Sequence, residues 1–499
     1  MPRAILSVHD KTGLAEFAAG LHALGWTLIA SGGTARMLRE QGLPVTDVAE
    51  YTGSPEILGG RVKTLHPAVH GGLLARPTVE DRDELLRLGW DYIDLVAVNL
   101  YPFEETVAKP GVSLAEVIEN IDIGGVTLIR AAAKNYERVS LLCDPADYAG
   151  VLAELQAGVI SAETRRALAL KGFASTAHYD SAIATYLSGD GATTLNLYPV
   201  QSLRYGENPH QSALLYGYQP DQGPLGGKIL QGKELSYNNL LDLDAAWRAA
   251  VCHEETAVAI VKHLSPCGIA TADTLEAAYR KALASDPVSA YGGIVAANRV
   301  VDGATAEAIK DLFVECVIAP GFSPEALTIF AAKKNLRLVQ MPDLQVEPDY
   351  ELRSITRGIL RQSVDFGEPA GTEWKVVSKR QPTAEEWAAL RFAMKACQHV
   401  KSNSIVFAQG TATVGIGGGQ PNRVDCVRIA VQRAGEKAKG AVMASDAFFP
   451  FTDSVEVAAQ AGVTAIVHPG GSMRDADSIA VVDQNNMVMV TTGVRHFRH

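Results

Sequence analysis

From its first residues the chain alternates short apolar runs with helical periodicity, and few folds accept that alternation. Residues 4–8 (Ala-Ile-Leu-Ser-Val) read as a buried strand, and Leu14, Phe17, Ala18, Leu21 and Leu24 then recur at helical spacing after Lys11-Thr12-Gly13. Residues 27–30 are the next predicted strand, Ser31-Gly32-Gly33-Thr34 turns the chain, and residues 35–41 form a short helix closed by Gly42. Further strands are predicted at 45–47, 95–98 and 139–142. Strands separated by helices imply an α/β fold with a parallel sheet covered on both faces.

At 499 residues the chain exceeds the size at which one core stops growing, so two or three domains are expected. Helical sequence over 161–187 runs into the small, polar stretch 188–194, which places a boundary there and divides the chain into 1–190 and 195–499. The second part mixes helices with strands predicted at 257–261, 293–297, 441–444 and 465–468, enough for two subdomains. Gly25 to Thr34 and Gly462 to Ser472 echo one another as a strand leading into a glycine turn, one device used twice.

No run of about 18 uncharged apolar residues occurs, and the first residues pass straight to His9-Asp10-Lys11 without the apolar stretch of an export signal. A chain that is neither exported nor inserted is expected in the cytoplasm, with no membrane partner. Six cysteines lie scattered with no close pair, as suits a reducing compartment. A formal net charge of -11 argues against nucleic acid as a partner. Cations set among glycines select small anions instead.

A strand ending in Ser31-Gly32-Gly33-Thr34 before a helix offers free backbone N–H groups where the helix dipole also favours negative charge. The bland alternative is a tight turn capped by Thr34. Lys11 and the cluster Arg61-Val62-Lys63-Thr64 favour a phosphate monoester, because loops after neighbouring parallel strands meet at one sheet edge. Asn99-Leu100-Tyr101 follows a predicted strand, and Asp122-Ile123-Gly124-Gly125 precedes a helix carrying Arg130 and Lys134. Carboxylate, phenol and lysine beside one phosphate supply a base, an oxyanion donor and a charge stabiliser, although Asp122 can equally cap its helix. A phosphate-ligand sensor needs only the cradle, so these extra groups favour an enzyme.

In the second part, Lys262-His263 ends an apolar strand, where the imidazole can take a proton and the ammonium can hold negative charge. Arg204-Tyr205-Gly206-Glu207-Asn208-Pro209-His210-Gln211 crowds a ring, a guanidinium and amides into a turn. Ser402-Asn403-Ser404 and Arg423 flank a glycine-rich loop, and two of the aromatic rings in Asp446-Ala447-Phe448-Phe449-Pro450-Phe451 can sandwich a flat heterocycle. Residues 415–420 lack the closing glycine of a dinucleotide fingerprint. Pro67 follows His66 where a zincin helix needs Glu, and Ala270 stands where a zinc deaminase needs its second Cys. No catalytic metal is expected.

Taken together and in order, Lys11-Thr12-Gly13, Ser31-Gly32-Gly33-Thr34, Arg61-Val62-Lys63-Thr64-Leu65-His66-Pro67, Asn99-Leu100-Tyr101-Pro102-Phe103, Glu119 to Gly125, Arg204 to Gln211, Lys262-His263-Leu264-Ser265-Pro266 and Ser445 to Phe451 closely resemble the bifunctional purine biosynthesis family of AICAR transformylase/IMP cyclohydrolases. The resemblance implies a methylglyoxal-synthase-like amino-terminal domain that closes the purine ring. It implies a carboxyl-terminal domain of two cytidine-deaminase-like subdomains that moves a formyl group from 10-formyltetrahydrofolate to AICAR, giving FAICAR. It also implies a homodimer with transformylase sites built at the subunit interface. Formyl transfer would fall to Lys262, His263 and Asn403, with AICAR held by Arg204, Tyr205, Gly292, Glu315, Arg423, Phe448 and Arg495, and the folate by Val424, Asp453, Gly471 and Ser472. Ring closure would fall to Lys63, Tyr101, Asp122 and Lys134, with substrate contacts from Lys11, Thr12, Ser31, Gly32, Gly33, Thr34, Arg61, Thr64, Asn99 and Gly124. His9 stands where many relatives carry Ser, and Glu315 where some carry Asp.

Overall fold

The computed structural model describes residues 1–189, 194–219 and 222–499, so the central residues 190–193 of the expected linker lie outside the described residues. The chain divides into two compact units, Met1–Asn196 and Leu197–His499.

The first unit is built on five parallel strands, β1 (Arg3–Ser7), β2 (Thr27–Ala30), β3 (Val45–Asp47), β4 (Leu95–Val98) and β5 (Ser140–Leu142), in the order β3-β2-β1-β4-β5. Alternate residues feed two cores. Ala4 and Leu6 pack with Leu14, Phe17 and Leu21 of the helix Leu14–Ala23, while Ile5, Ile29 and Val96 pack with Leu73, Leu128 and Ile129. The strand order reverses between β1 and β4, and the crevice beyond the carboxyl ends of those two strands is where a doubly wound sheet takes its ligands.

Two local expectations shift. The helix after β2 spans Gly32–Glu40, starting three residues before the predicted position, because the Ala35 N–H bonds the Ser31 carbonyl at 3.2 Å and closes the first turn around both glycines. Leu24 lies one residue past the first helix and is exposed, so the apolar stripe ends at Leu21.

Arg138 ties the far end of this sheet together. Its guanidinium, 11% exposed, donates to the carbonyls of Gly72, Leu73, Ala75 and Ile93 and pairs with Asp94 at 3.3 Å. Arg138→Met takes the guanidinium from the Gly72 and Ile93 carbonyls and from Asp94, while Asn135 still donates to Leu73 and Ala75, and we expect denaturant unfolding of the first unit to show a loss of about 3 kcal/mol.

The second unit opens with a hairpin, β6 (Tyr198–Leu203) and β7 (Ala213–Gly217). Its body is one sheet formed by β8 (Lys228–Gln231), β9 (Ala257–Lys262), β10 (Ser265–Thr271), β11 (Gly293–Ala297), β12 (Val314–Ala319) and β13 (Arg337–Gln340). After a second hairpin, β14 (Tyr350–Ile355) with β15 (Gly358–Ser363), it continues through β16 (Lys375–Val376), β17 (Ser404–Gln409), β18 (Ala412–Gly418), β19 (Val442–Ser445), β20 (Ala465–His468) and β21 (Val488–Thr491). The order is β16-β21-β20-β19-β17-β18-β10-β9-β11-β12-β13-β8. Read outward from the β18–β10 junction, both halves repeat one pattern: an antiparallel hairpin, three parallel strands, and an antiparallel edge strand. The two expected subdomains thus share one continuous sheet. One buried layer, including Trp247, Ala393, Val406 and Val467, runs across both halves.

Candidate active sites

In the first unit the loops after β1, β2 and β4 meet at the switch-point crevice. Asn99, just past β4, accepts the N–H groups of His9 and Asp10 at 2.6 and 2.9 Å and returns a bond to the Asp10 carbonyl, clamping the loop that carries Lys11. Thr12 bonds the Asp10 carboxylate through both its N–H and its hydroxyl, and these bonds hold that carboxyl below its ordinary range. Thr34 is buried and exchanges bonds with the backbone of Val8, fixing the start of the helix Gly32–Glu40 against the end of β1.

No side chain caps that helix, and its first turn carries no acid. Two ammonium groups flank it instead. A methyl built on Gly32 would lie 3.3 Å from Lys63 Nζ, and one built on Gly33 would lie 3.9 Å from Lys11 Cε. Lys63 also pairs with Glu56 at 3.2 Å, and Arg61 pairs with Glu119. A helix amino terminus between two lysines is an anion seat on two independent grounds, free N–H groups and net charge.

Thr64 is buried beside Gly124, where a built Cβ would lie 3.2 Å from its hydroxyl. Asp122 precedes the helix Gly124–Lys134 and accepts the Gly125 N–H at 2.7 Å. Burial raises its carboxyl above the ordinary range, opposed by bonds from the Gly125 and Tyr101 N–H groups and by the charge of His9. The exposed Tyr101 ring stands edge-on to His9 at 5.6 Å. Tyr101, Asp122, His9, Lys63 and Thr64 therefore surround one crevice. Lys134 does not join them: it is exposed on the last turn of its helix, ten residues or about 15 Å from Gly124.

Two supporting residues, Tyr179 and His66, have roles that the sequence did not assign. The Tyr179 hydroxyl receives the Asp122 N–H at 2.8 Å and donates to the Asn120 carbonyl, bracing the Asp122 loop from a helix 57 residues away. His66 caps the helix Pro67–Leu74 through Nδ1 and meets Ser54 through Nε2, pinning the end of the Arg61–Thr64 loop. Only the proximity of His66 to Lys63 in sequence signalled its role; Tyr179 left no local signal.

In the second unit a cavity of about 1300 Å³ is lined by Arg204, Tyr205, Lys262, His263, Gly292 and Glu315 among others. Arg204 lies over the Tyr205 ring at 5.4 Å, in a turn closed by the Gly206 N–H on the Gln211 carbonyl. Lys262 donates to the Tyr291 carbonyl at 2.7 Å, beside Gly292, which holds φ +75°. Glu315 is paired with Arg337 at 2.5 Å, so the carboxylate meets a cation of its own chain.

The remaining expected residues form a second group. The Asn403 side-chain N–H groups go to the Gln420 and Pro421 carbonyls, while its carbonyl accepts Arg423 at 2.7 Å. Arg423 is buried against Ser445 and Asp446, and Ser402 donates to Asp446 at 2.6 Å. Phe448 is exposed beside this knot. Phe449 is buried against His468, which leaves Phe448 and Phe451 as the exposed rings of that segment. Arg495 is exposed over Phe497, Val424 is buried on the first turn of the helix Arg423–Ala434, and Asp453 begins the helix Asp453–Gln460. The N–H groups of Gly471 and Ser472 bond one oxygen of Asp475. Gly471 also lines a cavity of about 520 Å³, into whose wall the buried His468 Nε2 and Asp475 Oδ1 bring unpartnered polar atoms.

Strand register decides how the two groups relate. Lys262 pairs with Ser265, β18 runs antiparallel to β10, and Gly418 pairs with Ser404, so Lys262 and Asn403 lie on one edge of the sheet. β9 and β17 are three strand spacings apart, about 14 Å. Within one chain His263 and Asn403 therefore stand apart along that edge.

The model of an MGS-like domain matches residues 13–127, and the model of the AICARFT/IMPCHase bienzyme matches residues 132–433. The chain is 54% identical to the bifunctional purine biosynthesis protein PurH of Trichormus variabilis over 99% of both chains. It is 53% identical to the protein of that name from Cyanothece sp. over the full length of both, and 53% identical to that of Myxococcus xanthus over 99% and 100%.

Proposed function

The chain belongs to the AICARFT/IMPCHase bienzyme family and is a bifunctional enzyme of the last two steps of purine biosynthesis, and we propose that it divides them between its two units. The single observation that carries this division is that each unit holds its own constellation, Lys63-Tyr101-Asp122 beside an anion seat and Lys262-His263 in a large cavity.

Formyl transfer belongs to the second unit. The AICAR amine attacks the formyl carbon; His263 accepts the amine proton, and the Lys262 ammonium faces the oxygen on which negative charge grows. 10-Formyltetrahydrofolate supplies the one-carbon group. Val424, Asp453, Gly471 and Ser472 would hold it, and the unpartnered His468 and Asp475 atoms beside Gly471 suit a heterocycle with both donors and acceptors. Arg204, Tyr205 and Gly292 line the AICAR side. No metal enters either reaction.

Ring closure belongs to the first unit. The carboxamide nitrogen of FAICAR attacks the formamide carbon, forming a C–N bond, and the former carbonyl oxygen leaves as water. Asp122 receives the nitrogen proton, Tyr101 and Lys63 serve the oxygen, and the phosphate sits on the helix Gly32–Glu40 between Lys11 and Lys63. Holding both reacting groups of one molecule in register provides much of the acceleration. Lys134, which the resemblance assigns to this site, stands at the other end of the helix Gly124–Lys134.

A second copy of the chain completes the formyl-transfer site, because His263 and Asn403 stand about 14 Å apart along one edge. Mixing inactive His263→Ala and Asn403→Ala proteins under exchanging conditions should restore roughly a quarter of wild-type activity, since half of randomly paired dimers carry one intact site of two. Zero recovery with confirmed exchange would place both residues in one subunit's site. The enzyme works in the cytoplasm on phosphorylated small molecules, as its dispersed thiols and net charge of -11 suit. Among the described residues no helix is long and apolar enough to cross a membrane. Incubation with AICAR and 10-formyltetrahydrofolate should yield IMP, followed by its absorbance; tight binding of FAICAR without turnover would refute the assignment of the first unit.

A further inference from the structure

The turn that presents His263 is built from the wrong residues for its shape. β9 and β10 are joined through His263 and Leu264, with Lys262 and Ser265 paired across the turn. Both central residues are left-handed, His263 at φ +53° and Leu264 at φ +60°. Two consecutive positive φ angles define a turn that normally takes Asn-Gly or Gly-Gly, because a Cβ is disfavoured at each position. His and Leu have no such licence. Something outside the turn must hold them there.

That restraint is the carboxylate of Asp242, on the helix Tyr237–Val251. One oxygen accepts the His263 N–H at 2.9 Å and the other accepts the Leu264 N–H at 2.6 Å. Leu264 is packed against the core beneath, whereas His263 is exposed to the cavity. Among the described residues no side chain hydrogen-bonds the His263 imidazole, so its direction is set by the backbone of the turn and by little else.

We propose that Asp242 is a positioning residue for formyl transfer: its carboxylate clamps two adjacent left-handed amides and so aims the His263 imidazole at the amine it deprotonates. This rests on the reading of His263 given above. Strained backbone persists at sites of chemistry where the surroundings over-determine it, and a carboxylate with one oxygen per amide does so here. The arrangement also explains why the position carries Asp. Asn offers one acceptor oxygen and would turn its NH₂ toward the second amide, and Glu would overreach by one methylene.

The test is kinetic and structural together. Asp242→Ala should lower kcat for formyl transfer by about 100-fold, the scale of a misplaced catalytic group, while KM for AICAR changes less than about two-fold. Cyclization of supplied FAICAR should be unchanged, which certifies the fold of the first unit in the same sample. Asp242→Asn, nearly isosteric, covers failure of the alanine variant to fold and should fall between it and wild type. Adding Leu264→Gly to Asp242→Ala should regain about ten-fold, because glycine takes the left-handed position without strain. Hydrogen exchange of residues 262–265 should quicken in Asp242→Ala and slow again in the double variant. A folded Asp242→Ala protein with wild-type kcat, a loss confined to KM, or exchange that does not change would overturn the proposal. Wild-type protein unable to formylate AICAR would instead overturn the role of His263, and the exchange data would still judge the clamp.

Discussion

His263→Ala should lower formyl transfer to AICAR by about 10²–10⁴-fold, the usual contribution of a positioned acid–base group, while cyclization of supplied FAICAR continues at the wild-type rate. The amine of AICAR is a poor nucleophile and must shed its proton as the new bond forms, so the penalty falls on kcat more than on KM. His263 stands at the tip of the β9–β10 hairpin, exposed to the cavity of the second unit, and the substitution removes no buried contact. Alanine is somewhat unfavourable at φ +53°, as histidine already is, so stability should change little. Both reactions are measured on one preparation, by FAICAR accumulation from AICAR and by IMP formation from supplied FAICAR. Equal loss of both in a protein with a wild-type melting profile would contradict the assignment of the two reactions to separate units.

Asp122→Asn should give the mirror image: cyclization lower by at least about 100-fold, with formyl transfer intact. The amide keeps an oxygen for the Gly125 N–H, which the Tyr101 N–H must now share, so the loop keeps its main tie while the proton acceptor is lost. The pH behaviour follows from burial. The Asp122 carboxyl titrates above its ordinary range in the folded chain, so cyclization should fall on its acid limb as pH drops through that raised value. The stability sign is the reverse of the usual salt-bridged aspartate. A raised folded pKa contributes stability that is fully present below the unfolded pKa, about 3.9, and lost as pH rises through the folded pKa. At pH 7 the ionised, part-buried carboxylate therefore weakens the first unit, and Asp122→Asn should melt at or above the wild-type temperature there, with the difference vanishing in acid. A variant that cyclizes normally, or that melts lower at pH 7 than in acid relative to wild type, would refute this account.

Much of the architecture was legible from short stretches. The strands 27–30, 45–47, 95–98, 293–297 and 465–468 lie where expected, while β5 and β9 differ from expectation by a residue at one end and β1 and β19 by a residue at both. The glycine turn after β2 announced an anion seat because a helix start without a side-chain cap leaves N–H groups free whatever surrounds it. Phe448 and Phe449 show where such reading stops. Adjacent side chains of one type point opposite ways, and only the packing of β19 and β20 sends Phe449 into the core and leaves Phe448 outside. Lys134 shows it again: twelve residues from Asp122 in sequence, it is carried to the far end of its helix.

Periodicity, glycine turns and the order of motifs determined by themselves the α/β class, the parallel sheet of the first unit and the loops that carry chemistry, because each depends on interactions within a few residues. The tertiary structure alone decided that the two halves of the second unit fuse through β10 and β18, that β9 and β17 bring His263 and Asn403 to one edge of the sheet three strands apart, and that Asp242 holds the turn beneath His263. Those facts depend on hydrogen bonds between residues 20 to 150 positions apart. No local pattern encodes such pairings; they follow from closing a single sheet over a shared core.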